Sequence, residues 1–219
     1  NNFDPVVDQT VSATTADDDV AGFTVTETGG STAVAESGTT DTFTVVLTAQ
    51  PTSDVVLSTS PEDPDEASVA PSSLTFTPAN WNTPQTVTVT GVDDNIIDGT
   101  VNSTLTVTVV DAASDDNFDA VADQTVTATT TDNDVAGFTI AETGGSTSVA
   151  ETGTTDTFTI VLNAQPASDV VLSISTSDSS ETTVTSLLTF TNGNWNTPHP
   201  ETVTGVEDNI IDGSVNSTL

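Results

Sequence analysis

The sequence predicts an all-β protein built from tandem, immunoglobulin-like antiparallel β-sandwiches of about 115 residues each. Two observations support this class. The chain of 219 residues repeats itself, since residues 2–4 recur as residues 117–119 and residues 40–44 recur as residues 155–159, both at an offset of 115. Short segments in which apolar residues alternate with threonine, bounded by Gly, Pro, Asn and Asp, are typical of strands and turns. A repeat of this length is a whole small domain rather than one rung of a solenoid.

Each strand of one complete repeat is predicted from local alternation or from the turn that bounds it. Residues 85–90 alternate without a break, so we expect Val87 and Val89 to be buried on one face. Residues 91–99 follow as an acidic loop. The other predicted strands are residues 23–27, 32–36, 42–48, 54–59, 73–77, 103–110 and 121–130.

The repeat pattern divides the chain into three parts. Residues 1–19 match only the last strand of a repeat, residues 20–134 make one complete sandwich, and residues 135–219 make a second repeat without its last two strands. We therefore expect head-to-tail growth, in which residues 1–19 of one subunit complete the sandwich of its neighbour, or an equivalent continuous tandem chain. An uncovered sandwich edge would be an aggregation liability.

The charge of the chain is large and of one sign. It has 33 Asp and Glu residues, one His and no Lys or Arg, which gives a formal net charge of −33. Because there is no basic patch, binding to nucleic acid or to an anionic membrane is disfavoured. Two carboxylates about 4 Å apart repel by roughly 4 kcal/mol at an effective dielectric constant near 20. Clustered acids in this chain therefore need cations from solution, and with no cysteine present only metal ions can supply cross-links.

Acidic side chains recur at fixed positions of the repeat and are candidate metal ligands. Loops at one end of a sandwich come together even when they are distant in sequence, and about six to eight hard oxygen ligands suit calcium rather than zinc or copper. The alternative is that these acids are ordinary solvated turn residues. The candidates are Glu36, Glu66, Asp93, Asp94, Asp98, Asp132 and Asp134 in the complete repeat, Glu151, Glu181, Glu207, Asp208 and Asp212 in the second, and Asp17 and Asp19 near the N-terminus.

Four segments of the repeat resemble a known family. They are residues 34–38 (VAESG), 74–78 (LTFTP), 86–89 (TVTV) and the closing acidic triplet 132–134 (DND). Together they are similar to the Calx-beta domains of sodium/calcium exchangers and of tandem arrays in bacterial surface proteins. The resemblance spans nearly the whole repeat.

The resemblance implies a calcium-binding β-sandwich and a ligand set. On this chain the implied ligands are Glu36, Glu66 and residues 132–134. The chain departs from the family pattern in the middle residue of that triplet, which is Asn. It also departs in the long segment around Trp81 and in the loop 93–99, which look more like large bacterial adhesins.

Other residue types point to weaker alternatives. Trp81 and Trp195 each stand in an Asn-Trp-Asn-Thr-Pro segment and could stack on sugars, although a plug over one end of the sandwich is the favoured interpretation. Asn102 and Asn216 begin N-glycosylation sequons at equivalent positions. His199 stands where the first repeat has Gln, and there is no Cys, so no nucleophile with a base can be assembled.

These observations predict a structural protein of the cell surface or extracellular space rather than an enzyme. Calcium would neutralise the acids and fix the angle between sandwiches that form a stalk, adhesin or filament, with further copies of the chain as head-to-tail partners. The alternative is an adhesion module that binds glycans or ice through the Trp segment or a flat Thr face.

Overall fold

A computed structural model describes residues 7–185, 187–211 and 213–219, and strands are the main regular secondary structure of its first repeat. Three short 3-10 turns are interspersed among them. The strands are β1 (Phe23–Glu27), β2 (Thr32–Ala35), β3 (Thr40–Leu47), β4 (Val55–Pro61), β5 (Ala67–Ala70), β6 (Ser73–Phe76), β7 (Gln85–Gly91), β8 (Thr100–Val109) and β9 (Gln124–Thr131).

The strands of the first repeat form two sheets that enclose one core. The first sheet has the order β1-β3-β7-β5 and is antiparallel throughout. The second has the order β2-β9-β8-β4-β6, in which β2 runs parallel to β9 with Thr32 opposite Ala128 and Ala35 opposite Thr131. The predicted immunoglobulin-like sandwich is confirmed, with two differences: this one pair is parallel, and β5 was not among the predicted strands.

The alternating apolar residues meet between the two sheets. Val87 and Val89 are fully buried, as their alternation predicts. They belong to one hydrophobic cluster with Phe43 of β3 and Phe76 of β6. Trp81 is partly buried against this cluster, which favours the interpretation of the Trp segment as a cover for one end of the core.

The second repeat has the same layout over the strands that it contains. Its strands are β10 (Phe138–Glu142), β11 (Thr155–Leu162), β12 (Val170–Ser173), β13 (Thr182–Val184), β14 (Leu187–Phe190) and β15 (His199–Gly205). The first sheet has the order β10-β11-β15-β13, and β12 pairs with β14 in the other layer.

Two further segments frame the repeats. Residues 7–20 are exposed and form no strand. The acidic loop after β7 touches the second repeat, because the backbone N–H of Gln165 donates a hydrogen bond of 2.7 Å to the carbonyl of Asn95 and Ile96 forms an isolated bridge to Gln165. Among the described residues, no helix has the length and apolar character needed to cross a membrane.

Candidate metal centre

Glu36 lies at the centre of the acidic cluster of the first repeat. It directly follows β2, and its backbone N–H donates to the carbonyl of Thr131 at 3.1 Å, which continues the parallel pairing with β9. Its side chain is only 1% exposed, and its Oε2 accepts a hydrogen bond of 3.1 Å from the backbone N–H of Asn133. Burial raises the pKa of Glu36, the Asn133 hydrogen bond partly opposes this, and neighbouring carboxylates raise it further.

Glu66 approaches Glu36 from the segment before β5. Its carbonyl accepts hydrogen bonds from the backbone N–H of Val92 at 3.0 Å and from the hydroxyl of Thr130 at 3.2 Å, which fixes the backbone between two strand ends. The side chain is 5% exposed, and its Oε2 has no hydrogen-bond partner among the described residues. Burial, followed by the charges of Asp98 and Glu36, raises the pKa of Glu66 to about 7.

The two aspartates after β9, Asp132 and Asp134, have pKa values that are shifted in opposite directions. Asp132 accepts backbone hydrogen bonds on both oxygens, from Asp134 at 2.6 Å and from Gly99 at 2.9 Å, and these bonds lower its pKa. Burial and the charge of Asp132 raise the pKa of Asp134, whose Oδ2 is buried without a hydrogen-bond partner in the part of the chain that the structure describes. The cluster therefore includes two buried carboxylate oxygens, Glu66 Oε2 and Asp134 Oδ2, that accept no hydrogen bond from the described residues.

Two sets of three carboxylates converge and share Glu36. One set is Glu36 with Asp132 and Asp134, and the other is Glu36 with Glu66 and Asp98. Within each set, one oxygen from every residue lies within 4.8 Å of the others. Because calcium binds oxygen at about 2.3–2.6 Å, two ligands on opposite sides of one ion are about 5 Å apart. Each set therefore has the dimensions of a single cation site.

Asp93 and Asp94 lie at the rim of the cluster. Asp93 Oδ1 accepts a hydrogen bond of 2.8 Å from the side-chain amide of Asn133. Asp94 Oδ1 accepts one of 2.7 Å from the backbone N–H of Ile96. The charges of both aspartates contribute to the raised pKa of Asp134. The structure thus brings all seven acids predicted in the first repeat to one end of the sandwich.

A glycine allows the strand ends that carry this cluster to approach each other. A Cβ atom on Gly91, the last residue of β7, would lie 2.1 Å from the carbonyl oxygen of Ala35, immediately before the shared glutamate. The N–H of Gly91 donates to the carbonyl of Thr39 at 3.1 Å. Gly205 has the same relation to Ala150 in the second repeat, also at 2.1 Å. Only glycine fits such a close approach.

The acids predicted in the second repeat do not form a comparable set within the described ranges, 7–185, 187–211 and 213–219. Residues 135–219 contain no counterpart of the acidic triplet 132–134, so a set like that of Asp132 and Asp134 with Glu36 has no equivalent there. Glu151, Glu181 and Asp208 are half-buried, Glu207 is exposed, and Asp212 lies outside the described residues.

Four remaining candidates lie on the surface, away from this cluster. Asp17 and Asp19 are exposed, and the backbone N–H of Asp19 donates to Asp17 Oδ1 at 3.1 Å. The sequon residues Asn102 and Asn216 are also exposed. Asn102 Oδ1 accepts a hydrogen bond of 2.9 Å from the hydroxyl of Thr129 on the neighbouring strand.

A buried aspartate with a structural role was not predicted. Asp115 is buried and accepts hydrogen bonds of 2.6–3.0 Å from the backbone and hydroxyl of Thr52, the backbone of Ser53, and the backbone and side chain of Asn117. These bonds lower its pKa, the Thr52 hydroxyl contributing most. Local sequence does not distinguish Asp115 from its exposed neighbour Asp116, because the donors on Thr52 and Ser53 come from a loop more than 60 residues away.

No family model and no curated protein sequence matches the chain. Solved structures give distant likenesses. The apo form of the Calx CBD1 domain is 13% identical, with a TM-score of 0.38 over 53% of this chain and all (100%) of that one. The calcium-binding domain CBD12 of CALX1.1 is 14% identical, with a TM-score of 0.37 over 84% of this chain and 76% of that one. The Salmonella enterica SafA pilin in complex with the SafB chaperone is 9% identical, with a TM-score of 0.36 over 64% and 66%.

Proposed function

We propose that the chain is an extracellular structural repeat protein whose tandem sandwiches are stiffened by calcium at the acidic end of each complete repeat. One observation carries the proposal. Glu66 is 5% exposed, one of its carboxylate oxygens has no hydrogen-bond partner among the residues that the structure describes, and it lies beside Glu36 and Asp98 in a chain that has no Lys or Arg. A buried carboxylate in such surroundings requires a proton or a cation from solution.

The chemistry of the ligands favours calcium over other cations. All the converging side chains offer carboxylate oxygens, and the chain has neither Cys nor a His in the first repeat. Calcium accepts about six to eight such ligands in flexible geometry, whereas magnesium requires near-ideal octahedra and keeps several waters. The two overlapping sets share Glu36, an arrangement suited to two ions bridged by one glutamate.

The position of the cluster explains how a cation would stiffen the array. Asp132 begins the connection from β9 to β10, and the loop that carries Asp98 also contacts Gln165 of the second repeat through Asn95. Ions that hold these segments together would restrict the angle between neighbouring sandwiches. Such an array serves as a stalk, an adhesin or a filament, and head-to-tail copies of the chain would extend it. The proposed role is mechanical and assigns no catalytic residue.

Calcium titration of the whole chain tests the proposal. We expect saturable binding by isothermal calorimetry, a higher Tm than in chelator, and a stiffer particle in small-angle scattering. Magnesium at the same concentration serves as the ionic-strength control. Glu36→Gln should remove most of the calcium effect because both carboxylate sets share Glu36. Scattering curves and Tm values that calcium leaves unchanged would contradict the proposal.

A further inference from the structure

Strand β2 is an edge strand of the second sheet and leads directly into Glu36, which both carboxylate sets share. On one side β2 pairs with β9 in parallel. The backbone groups of alternate residues in a parallel pair point toward the partner strand, so those of Ala33 and Ala35 point away from β9. An edge of this kind ordinarily presents a row of unpaired N–H and C=O groups.

Two side chains from the segment that follows β2 pair the N–H groups of this edge. The hydroxyl of Thr39 accepts a hydrogen bond of 2.7 Å from the backbone N–H of Ala35. Asp41 Oδ2 accepts one of 2.9 Å from the backbone N–H of Ala33. We call these two hydrogen bonds the edge caps. Because they join residues only four and eight positions apart, they belong to the local structure of this segment.

The turn between β2 and β3 brings the capping side chains back to the edge. Gly38 has a φ of +82°, a conformation that glycine adopts without steric cost, and its N–H donates to the carbonyl of Ala35 at 3.0 Å. The carbonyl of Thr39 accepts a hydrogen bond of 3.1 Å from the N–H of Gly91 at the end of β7. The residue whose hydroxyl caps β2 therefore has its own backbone fixed to the other sheet.

The second repeat contains the same two edge caps. The hydroxyl of Thr154 accepts a hydrogen bond of 2.6 Å from the N–H of Ala150, and Asp156 Oδ2 accepts one of 2.8 Å from the N–H of Ser148. Backbone hydrogen bonds, that from Ser148 above all, lower the pKa of Asp156, so they favour its ionised form. The sequence Glu-x-Gly-Thr-Thr-Asp stands at this place in both repeats, and it makes the same bonds each time.

The edge caps restrict the position of β2 more than they stabilise the fold. Ala33 is exposed and Ala35 is half-buried, so water would pair their N–H groups if the caps were removed, and the net loss of stability would be small. Glu36 is held on its other side, where its N–H donates to the carbonyl of Thr131 at 3.1 Å. With the caps in place, the backbone that carries this glutamate is fixed from both sides, as a precise ligand position requires.

We infer that Thr39 and Asp41 are positioning residues for the cation site, because their edge caps hold β2 and thereby fix the carboxylate of Glu36. They act through the backbone of β2 and not as ligands. Loss of residues that orient metal ligands typically weakens metal binding by about 10- to 100-fold. The inference deepens the proposed calcium function and rests on it for the effect on affinity, but the position of Glu36 is measurable without a cation. The alternative is that the caps only close the strand edge against a second strand.

A matched pair of substitutions in the whole chain tests the effect on calcium affinity. Thr39→Val removes the capping hydroxyl and keeps the shape of the side chain. Thr154→Val removes the same cap from the second repeat, whose described residues form no comparable carboxylate set. In calorimetry, Thr39→Val should raise the Kd for calcium by at least about 10-fold, and Thr154→Val should leave it unchanged. Thr39→Ser keeps the hydroxyl and should bind calcium like the original chain. Equal Kd values for the two valine variants would overturn the inference.

Amide hydrogen exchange, measured by NMR in chelator, follows the position of Glu36 without calcium. The backbone N–H of Asn133 donates to Glu36 Oε2, so it exchanges faster when that carboxylate moves away. Thr39→Val and Asp41→Ala should each speed exchange at this amide by roughly 2- to 10-fold, the factor that corresponds to one net hydrogen bond. Asp156→Ala is the matched control in the second repeat and should leave it unchanged. Unchanged exchange at Asn133 in both first-repeat variants would overturn the inference.

The two measurements separate this inference from the calcium proposal. If the original chain binds no calcium but Thr39→Val speeds exchange at Asn133, the calcium proposal fails and the positioning of Glu36 stands. If the chain binds calcium and Thr39→Val changes neither the Kd nor the exchange rate, the positioning fails alone. A Thr39→Val chain that only self-associates in light scattering, with exchange at Asn133 unchanged, would assign the caps to closing the strand edge and would also overturn the inference.

Discussion

Replacing Glu66 by Gln removes a buried carboxylate whose pKa is raised to about 7 and keeps the size of the side chain. In an unfolded chain this carboxyl would ionise near its ordinary pKa of 4.5. The folded, calcium-free chain holds the proton more tightly than the unfolded chain does. Its stability therefore falls as the pH rises from about 4.5 to about 7 and stays at the lower value above that range.

The magnitude follows from the size of the pKa shift. A shift from 4.5 to about 7 corresponds to at most about 3 kcal/mol, and solvent near the exposed Asp98 reduces this to about 1–2 kcal/mol. Without calcium at pH 8, Glu66→Gln should therefore raise the Tm by about 4–8 °C. At pH 4 the variant and the original chain should unfold at nearly the same temperature, because both side chains are then neutral.

Calcium should reverse the order of stabilities at pH 8. The original chain gains about 2.7 kcal/mol when free calcium is 100 times its Kd, and the variant gains less because one ligand of the set with Glu36 and Asp98 is lost. Differential scanning calorimetry in chelator and in calcium measures both effects. Glu62→Gln, an exposed glutamate close by in sequence, is the control and should change neither. The reasoning is refuted if Glu66→Gln destabilises the calcium-free chain at pH 8, or if calcium stabilises the variant as much as the original.

Two further substitutions probe the support of the site and a separate structural carboxylate. Gly91→Ala places a Cβ atom 2.1 Å from the carbonyl oxygen of Ala35. It should lower the free energy of unfolding by about 1–3 kcal/mol and weaken calcium binding in calorimetry. Gly193→Ala, whose Cβ atom would have no neighbour closer than 3.9 Å, is the control and should change neither quantity. Asp115→Ala should lower the Tm at neutral pH and leave calcium binding intact, with Asp116→Ala as the exposed control. Because hydrogen bonds lower the pKa of Asp115, its contribution to the stability of the folded chain should be full above about pH 4 and should decline as the pH falls further. An effect of Asp115→Ala on Tm that does not change with pH would contradict this.

The strands that the sequence predicts best are those with unbroken alternation. β7 matches its prediction because Val87 and Val89 occupy one face. The short strand β5 directly follows residues 62–66, which form a loop without any alternation of apolar and polar residues. The parallel pairing of β2 with β9 joins segments nearly a hundred residues apart, and local patterns carry no information about such a pairing.

The site is predictable in composition but not in arrangement. Repetition at fixed positions identifies Glu36, Glu66 and the triplet 132–134 as candidates. Which carboxylates share one cation depends on loop conformations. Asp98 meets the two glutamates, whereas Asp93 accepts a bond from the side chain of Asn133 instead. The sequence presents Asp93 and Asp98 as equivalent members of one acidic loop.

The acidic triplet shows why the electrostatics of this centre depend on the backbone. Asp132 and Asp134 are the same residue type two positions apart, yet the pKa of Asp132 is lowered and that of Asp134 is raised. The difference arises because the N–H groups of Asp134 and Gly99 both point at Asp132, while Asp134 is buried near other carboxylates. The calcium-free centre therefore combines a carboxylate that stays ionised with others that retain protons more readily. Protons and calcium would compete for the same oxygen atoms, so the proposed calcium ion would have to displace protons in order to bind there.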